Sequence, residues 1–331
     1  MKKITFILSC VLLAALLLPS CKKTGVKGIK VDNYSIGKAG EVILVLDNKY
    51  TPESAQNYIV QTLTQPQPAL NQIEPMFDLL QFENKEFTSY FQRHRNIVQF
   101  DMNPNYASNT FDIAENVWTK PQIHVYFRGN NMDSLMVLFI LNRKEIINAL
   151  YDNDLKRVQS FAAAGNNDAF IEKKIYEKFD INITIPNSYS IAREEEDFMW
   201  LRYKTVRNDR FVIIYKTEGI DLSKKGLVAA RNEITKAFIP GAVLGAYPVV
   251  ADVAPFPLYN DNVSIGAITG AELRGLWECV GDKMGGPFYN FSFIDKTGEN
   301  VISVGGFVYA PEEEKRDYLR EVEAIVKSVR W

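Results

Sequence analysis

Cysteine and histidine are scarce in this chain of 331 residues, which carries three Cys and two His. Cys10 lies in an N-terminal apolar run and Cys21 just after it, so the expected folded body holds only Cys279 and no intrachain disulfide is available to it. His94 and His124 stand 30 residues apart, and no H-x-x-x-H, C-x-x-C or calcium-loop spacing occurs, so neither a metal nor a cofactor is expected. Phosphate cradles of the G-x-x-x-x-G-K-[ST] or G-x-G-x-x-G type are missing, as is the G-x-S-x-G nucleophile elbow. No compositional bias marks a collagen, a disordered tail, a coiled-coil rod or a multi-span membrane protein. What is present, 47% hydrophobic and 24% charged side chains, describes a folded body long enough to bury a sizeable core.

The N-terminus reads as an address. Lys2 and Lys3 precede an apolar run over residues 4–18, which is shorter than the roughly 20 residues a bilayer span needs. Leu18-Pro19-Ser20-Cys21 resembles the lipobox of bacterial lipoproteins, which implies that residues 1–20 are removed and that the Cys21 thiol carries the lipid; an ordinary signal cut nearby is the alternative. Residues 21–40 read as a flexible tether with five lysines, suited to anionic head groups or to simple solubility. Residues 41–331 hold 31 basic and 39 acidic side chains, which disfavours nucleic acid as a partner. Lys22 and Lys23 resemble the start of lipoproteins retained on the periplasmic side. The expected location is the bacterial cell envelope, lipid-anchored to the outer membrane and facing the periplasm.

Patterning predicts an α+β fold, antiparallel or mixed sheets with helices packed on them, in two halves over residues 41–165 and 166–331. In the first half, strands are expected at 41–47, 77–82, 96–100 and 122–128. A helix capped by Thr51 follows the first strand, a short helix lies near 87–91, and a long helical region covers 133–165. In the second half, Ile181, Ile183 and Ile185 alternate as in a strand, and strands are expected at 198–203, 210–216 and within 249–268. Ser223 caps a helix; Thr269 and Glu272 have capping-box spacing ahead of Leu273, Leu276, Trp277 and Val280, which predicts another. Residues 289–293 and 301–309 form a hairpin, and a final amphipathic helix opens at Pro311 and Glu312.

Several segments carry a family resemblance: Gly37-Lys38-Ala39-Gly40-Glu41-Val42-Ile43, Glu74-Pro75-Met76-Phe77-Asp78, His94-Arg95-Asn96-Ile97, Gly285-Gly286-Pro287-Phe288 and Gly306-Phe307-Val308-Tyr309-Ala310-Pro311. Together they resemble an uncharacterised family of Bacteroidota envelope lipoproteins, named as a domain of unknown function. That resemblance implies no activity. The order of elements in the second half is also similar to the PsbP-like α/β/α fold, an analogy of fold alone.

The arguable nucleophile is Cys279 with His94 or His124 as base, against the reading of an inert thiol and a surface histidine. Residues 194–197, four acids in a row, fit a solvated hairpin tip. With 16 Tyr, 20 Phe and four Trp, rings are plentiful, and Trp200 and Trp277 stand out as ligand or partner contacts. The expected function is non-catalytic binding of an envelope protein. The alternative is a glycan- or lipid-binding module, which a ring-lined pocket bordered by Trp200 or Trp277 would favour; an uncharacterised enzyme comes third, and a cluster joining Cys279 to a histidine would be its minimum sign.

Overall fold

A computed structural model describes residues 34–331. The expected signal segment, Cys21 and most of the expected tether lie outside the described residues. Within them the fold is α+β, with two sheets and five α-helices.

The first sheet joins β1 (Glu41–Val45), β2 (Asp78–Phe82), β3 (Asn96–Met102), β4 (Thr110–Glu115) and β5 (Ile123–Gly129) in the order β2-β1-β3-β5-β4. Its strands are parallel except β4, which forms a hairpin with β5. Val42, Ile43, Leu44 and Val45 are fully buried, as expected of a parallel strand covered on both faces. One cover is helical, from α1 (Glu53–Leu63) and the 30-residue α2 (Met132–Phe161). The other is a loop whose Phe87 and Phe91, with Trp118, pack over Ile43, Val45 and Ile97.

The second sheet is antiparallel and eight-stranded. It comprises β6 (Ser190–Glu195), β7 (Phe198–Lys204), β8 (Asp209–Glu218), β9 (Tyr247–Val250), β10 (Leu258–Ile265), β11 (Ile268–Val280), β12 (Gly285–Ile294) and β13 (Asn300–Tyr309). The order is β10-β11-β12-β13-β8-β7-β6, with β9 paired to the far end of β11. One face buries α3 (Ala169–Phe179) and α5 (Arg316–Val326). The opposite face carries α4 (Lys224–Phe238), whose N-cap is Ser223, its side chain accepting from Gly226 N at 3.1 Å. Tyr289, Phe291 and Phe293 line the α5 face, all fully buried.

Some sequence expectations need correction. Residues 269–281 are not a helix but most of β11: the i, i+3, i+4, i+7 spacing of Leu273, Leu276, Trp277 and Val280 is overridden by ladders to β10 and β12 on either side. Gly270 and Gly275 agree with the strand, because glycine costs a helix interior about 1 kcal/mol relative to alanine. At Gly270 an added Cβ would stand 2.1 Å from the Ser292 carbonyl. Ile181, Ile183 and Ile185 are buried in alternation, yet they lie in an extended segment outside the named strands, tied by a bridge between Asn182 and Arg330. Pro52 rather than Thr51 occupies the N-cap of α1, Thr51 Oγ1 donating back to Asp47 O. Two 3₁₀ turns replace the short helix near 87–91. β4, β6 and α3 were not anticipated.

The last helix starts later than its sequence suggests. Residues 311–314 form a turn, and the first amides of α5 are met by a distant acid: Glu74 accepts from Lys315 N at 2.7 Å and Arg316 N at 2.8 Å. Beside it, Asp154 of α2 accepts from Gly40 N at 2.9 Å and from Arg320 Nη1 at 2.8 Å, with Arg95 at 3.4 Å. Glu323 of α5 takes Arg274 Nη2 at 2.7 Å, Lys327 Nζ at 2.9 Å and the Tyr151 hydroxyl. Burial works against ionisation of Glu323, but Arg274 and Lys327 outweigh it and hold the carboxyl down to about 2. A seam of ion pairs thus runs where α5 meets α2.

Candidate functional site

Strand alternation assembles a second polar cluster on the α4 face, this one among aromatic rings. Trp200 and Arg202 lie two residues apart on β7, Asp209 and Phe211 on β8, and Trp277 and Cys279 on β11, so each pair shares one face. The register opposes Arg202 to Phe211, Phe211 to Phe307, Phe307 to Phe288 and Cys279 to Pro248. Because neighbouring strands are antiparallel, the ends of β7, β11 and β13 meet the starts of β8 and β12 at one end of the sheet. The chain leaving α4 at Phe238 crosses over that end through residues 239–242.

The result is a cavity of about 250 Å³. Its walls are Trp200, Phe211, Trp277 and Phe307, with Met284 and Cys279 at one side and residues 239–242 as a cover. Phe211 stacks on Phe307 at 4.5 Å between centroids, Trp277 meets Phe307 edge-on at 5.5 Å, and Trp200 lies 5.8 Å from Phe211. Behind Phe307, under α4, Arg231 is buried, its guanidinium 4.5 Å from the Phe288 ring and 5.5 Å from Phe307. Burial pulls its pKa down to about 10.

The two indoles play different parts. Trp277 is 4% exposed and its Nε1 donates to Val308 O at 3.1 Å, reaching across Gly286. A Cβ there would stand 2.1 Å from Val308 O and 3.2 Å from Trp277 Nε1, which is why the position takes glycine. Trp200 is half-buried, and its Nε1 has no hydrogen-bond partner.

Polar supply to the cavity comes from one ion pair, Arg202 Nη2 to Asp209 Oδ2 at 2.7 Å. The pair leaves Arg202 Nε and Asp209 Oδ1 unmet. Nine buried side-chain atoms among the described residues lack a partner, and three of them, Trp200 Nε1, Arg202 Nε and Asp209 Oδ1, belong to this cavity. Native proteins leave few such groups. Three of the others, Arg95 Nε, Arg274 Nη1 and Arg320 Nε, belong to the α5 seam. What sets the cavity apart from that seam is that its unmet atoms belong to residues lining a ring-walled hollow. A neighbouring hollow of about 480 Å³ shares Trp277, Cys279 and Met284, and Asp282 on its wall has a fourth unmet atom.

The sequence singled out Trp200, Trp277 and Cys279, and the fold brings all three to one cavity. It does not bring a histidine there. His94 Nδ1 lies 3.0 Å from Glu41 Oε1, and His124 Nε2 lies 3.0 Å from Gln99 Oε1, both at the first sheet. His124 is not a surface residue: it is buried beside Trp118 and Tyr126, and burial lowers its pKa to about 4. Burial, with Asp282 adding to it, raises the Cys279 thiol, the opposite of what a nucleophile needs. The cysteine–histidine cluster that would have been the minimum sign of an enzyme is therefore not formed. Residues 194–197 do turn the β6–β7 hairpin, with Glu194 bound to Lys174 at 2.9 Å. Arg202 and Asp209 were missed; the polar turn between two strand candidates placed them near each other, but their pairing depends on register.

Among the described residues no group of three His, Cys, Asp or Glu side chains is arranged to hold a metal, and no helix is long and apolar enough to cross a membrane. Residues 168–328 match the family model described as a domain of unknown function, DUF4837, and residues 35–162 match a second domain of unknown function, DUF8532. Neither description names a catalytic activity. No curated protein matches the chain. Among solved structures, a mutant of the protein Mog1 is similar at 10% identity and a TM-score of 0.28, covering 45% of this chain and 89% of that one.

Proposed function

We propose that this chain, built from two domains of unknown function, is a non-catalytic binding protein of the bacterial envelope, anchored through lipid on Cys21, whose ligand enters the cavity between Trp200 and Trp277. The observation that carries the reading is the gathering of three unmet polar atoms in a ring-lined cavity. Aromatic walls with a few convergent polar groups are the usual make-up of a small-ligand site. At about 250 Å³ the cavity suits a small molecule. The test is native mass spectrometry of the protein purified from its own membrane. A diacylglyceryl mass on Cys21 and a bound small molecule lost in Trp200→Ala are expected; a chain still carrying residues 1–20, or one with no adduct that the variant removes, overturns the anchor or the site respectively.

An envelope protein as partner is supported by a separate observation. Val206, in the β7–β8 turn, and Leu244, in the loop after α4, are fully exposed aliphatic residues at the same end of the sheet as the cavity. A photo-crosslinker at Leu244 in intact cells is expected to trap a second protein, and recovery of monomer alone counts against this reading.

A further inference from the structure

We infer that the ligand of this cavity is a neutral sugar ring, an inference that rests on the cavity being a binding site at all. Charge is the first ground. Arg202 and Asp209 are the charged residues of the wall, and they neutralise each other at 2.7 Å. A charged ligand entering among Trp200, Phe211, Trp277 and Phe307 gives up its water with no counter-ion of its own.

Hydrogen bonding is the second. The unmet atoms are two donors, Trp200 Nε1–H and Arg202 Nε–H, and one acceptor, Asp209 Oδ1. A hydrocarbon chain or a bare aromatic ring leaves all three as they are, each a buried group without a partner. A hydroxyl both donates and accepts. Adjacent hydroxyls on one ring therefore answer both kinds of need, one donating a hydrogen bond to Asp209 Oδ1 and another accepting one from Arg202 Nε–H or Trp200 Nε1–H.

Shape is the third. Trp200, Phe211, Trp277 and Phe307 give the cavity apolar walls for the C–H side of a pyranose. Since a water molecule occupies about 30 Å³ of liquid, a cavity of about 250 Å³ replaces about eight waters, the size of one ring and not of a chain. The three unmet atoms are themselves buried, so a ligand reaches them only as Trp200, the half-buried wall, moves aside.

The experiment titrates the full-length protein with methyl glucoside, methyl galactoside, methyl mannoside and N-acetylglucosamine, then with galacturonate, hexanol and indole. Two readouts are followed: the Trp200 indole N–H resonance, assigned by its loss in Trp200→Phe, and the rate of Cys279 alkylation. At least one neutral sugar is expected to shift the resonance saturably and slow alkylation severalfold, with affinity falling at least tenfold in Asp209→Ala. Arg202→Met is expected to lose a similar factor while the spectrum of the first sheet stays unchanged, which separates lost contacts from unfolding. If hexanol or indole moves the resonance and protects Cys279 while sugars do neither, the sugar assignment is overturned and the binding site stands. Tighter binding of galacturonate than of every neutral sugar also overturns it. If no probe shifts Trp200 or protects Cys279, the sugar assignment and the site fall together.

Discussion

Gly286 shows how much one absent side chain decides. Trp277 can cross from β11 to the Val308 carbonyl of β13 only because the strand between them carries no Cβ at that point. Gly286→Ala forces a methyl to 2.1 Å from Val308 O, so the strand or the indole must shift. The expected cost is about 2–4 kcal/mol, the range of overpacking plus a lost buried hydrogen bond, read from urea unfolding, together with a change in the tryptophan emission. At this scale the sequence was informative about type and silent about pairing. Trp200, Trp277 and Cys279 were legible as rare or large residues worth locating. Arg202, Asp209, Asp154, Arg274 and Glu323 were not, because a buried arginine or glutamate has the same letter as a solvated one and only the tertiary fold gives it a partner.

Elements were legible where local pattern and tertiary need agreed. The stripe of Leu319, Val322, Ile325 and Val326 identifies α5 because its buried face is the one its own periodicity marks. β11 resembles a helix in sequence because Leu273 and Trp277 fit helical and alternating spacing alike, and the deciding fact, partners on both edges, is not local. The beginning of α5 shows the same division. Three consecutive glutamates ahead of the helix are the local signal for its N-terminal charge, but the carboxylate that meets its amides is Glu74. Glu74→Ala is expected to cost about 1–2 kcal/mol, the worth of a helix cap with its dipole interaction. Hydrogen exchange at the Lys315 and Arg316 amides checks it, and protection unchanged from the wild type would show that the cap lies elsewhere.

In the whole molecule, α5 belongs to both halves. Its apolar stripe completes the core of the second sheet, and its charged side meets Asp154 and Tyr151 of α2 beside the first. Residues 34–331 fall within one compact unit accordingly, and a single thermal transition is expected. Glu323→Gln leaves Arg274 and Lys327 short of a counter-charge inside the protein, at an expected cost of about 3–5 kcal/mol. The same carboxylate sets a pH dependence. Its folded pKa, about 2, lies below its ordinary 4.5, so its contribution is complete above pH 4.5 and is lost as the pH falls from there toward 2. Acid unfolding followed by circular dichroism should begin in that window, and in Glu323→Gln this part of the pH dependence should be missing.

The placement of α5 also orders events in time. All thirteen strands precede it in the chain, so a polypeptide emerging N-terminus first has made both sheets' components before the helix that closes them against each other. Until then Asp154 and Arg274 lack the partners α5 brings, and the Tyr289–Phe293 face lacks the share of its cover that α5 provides. A product cut short after residue 310 is expected to leave those rings exposed to water, a state that binding of a hydrophobic dye would report.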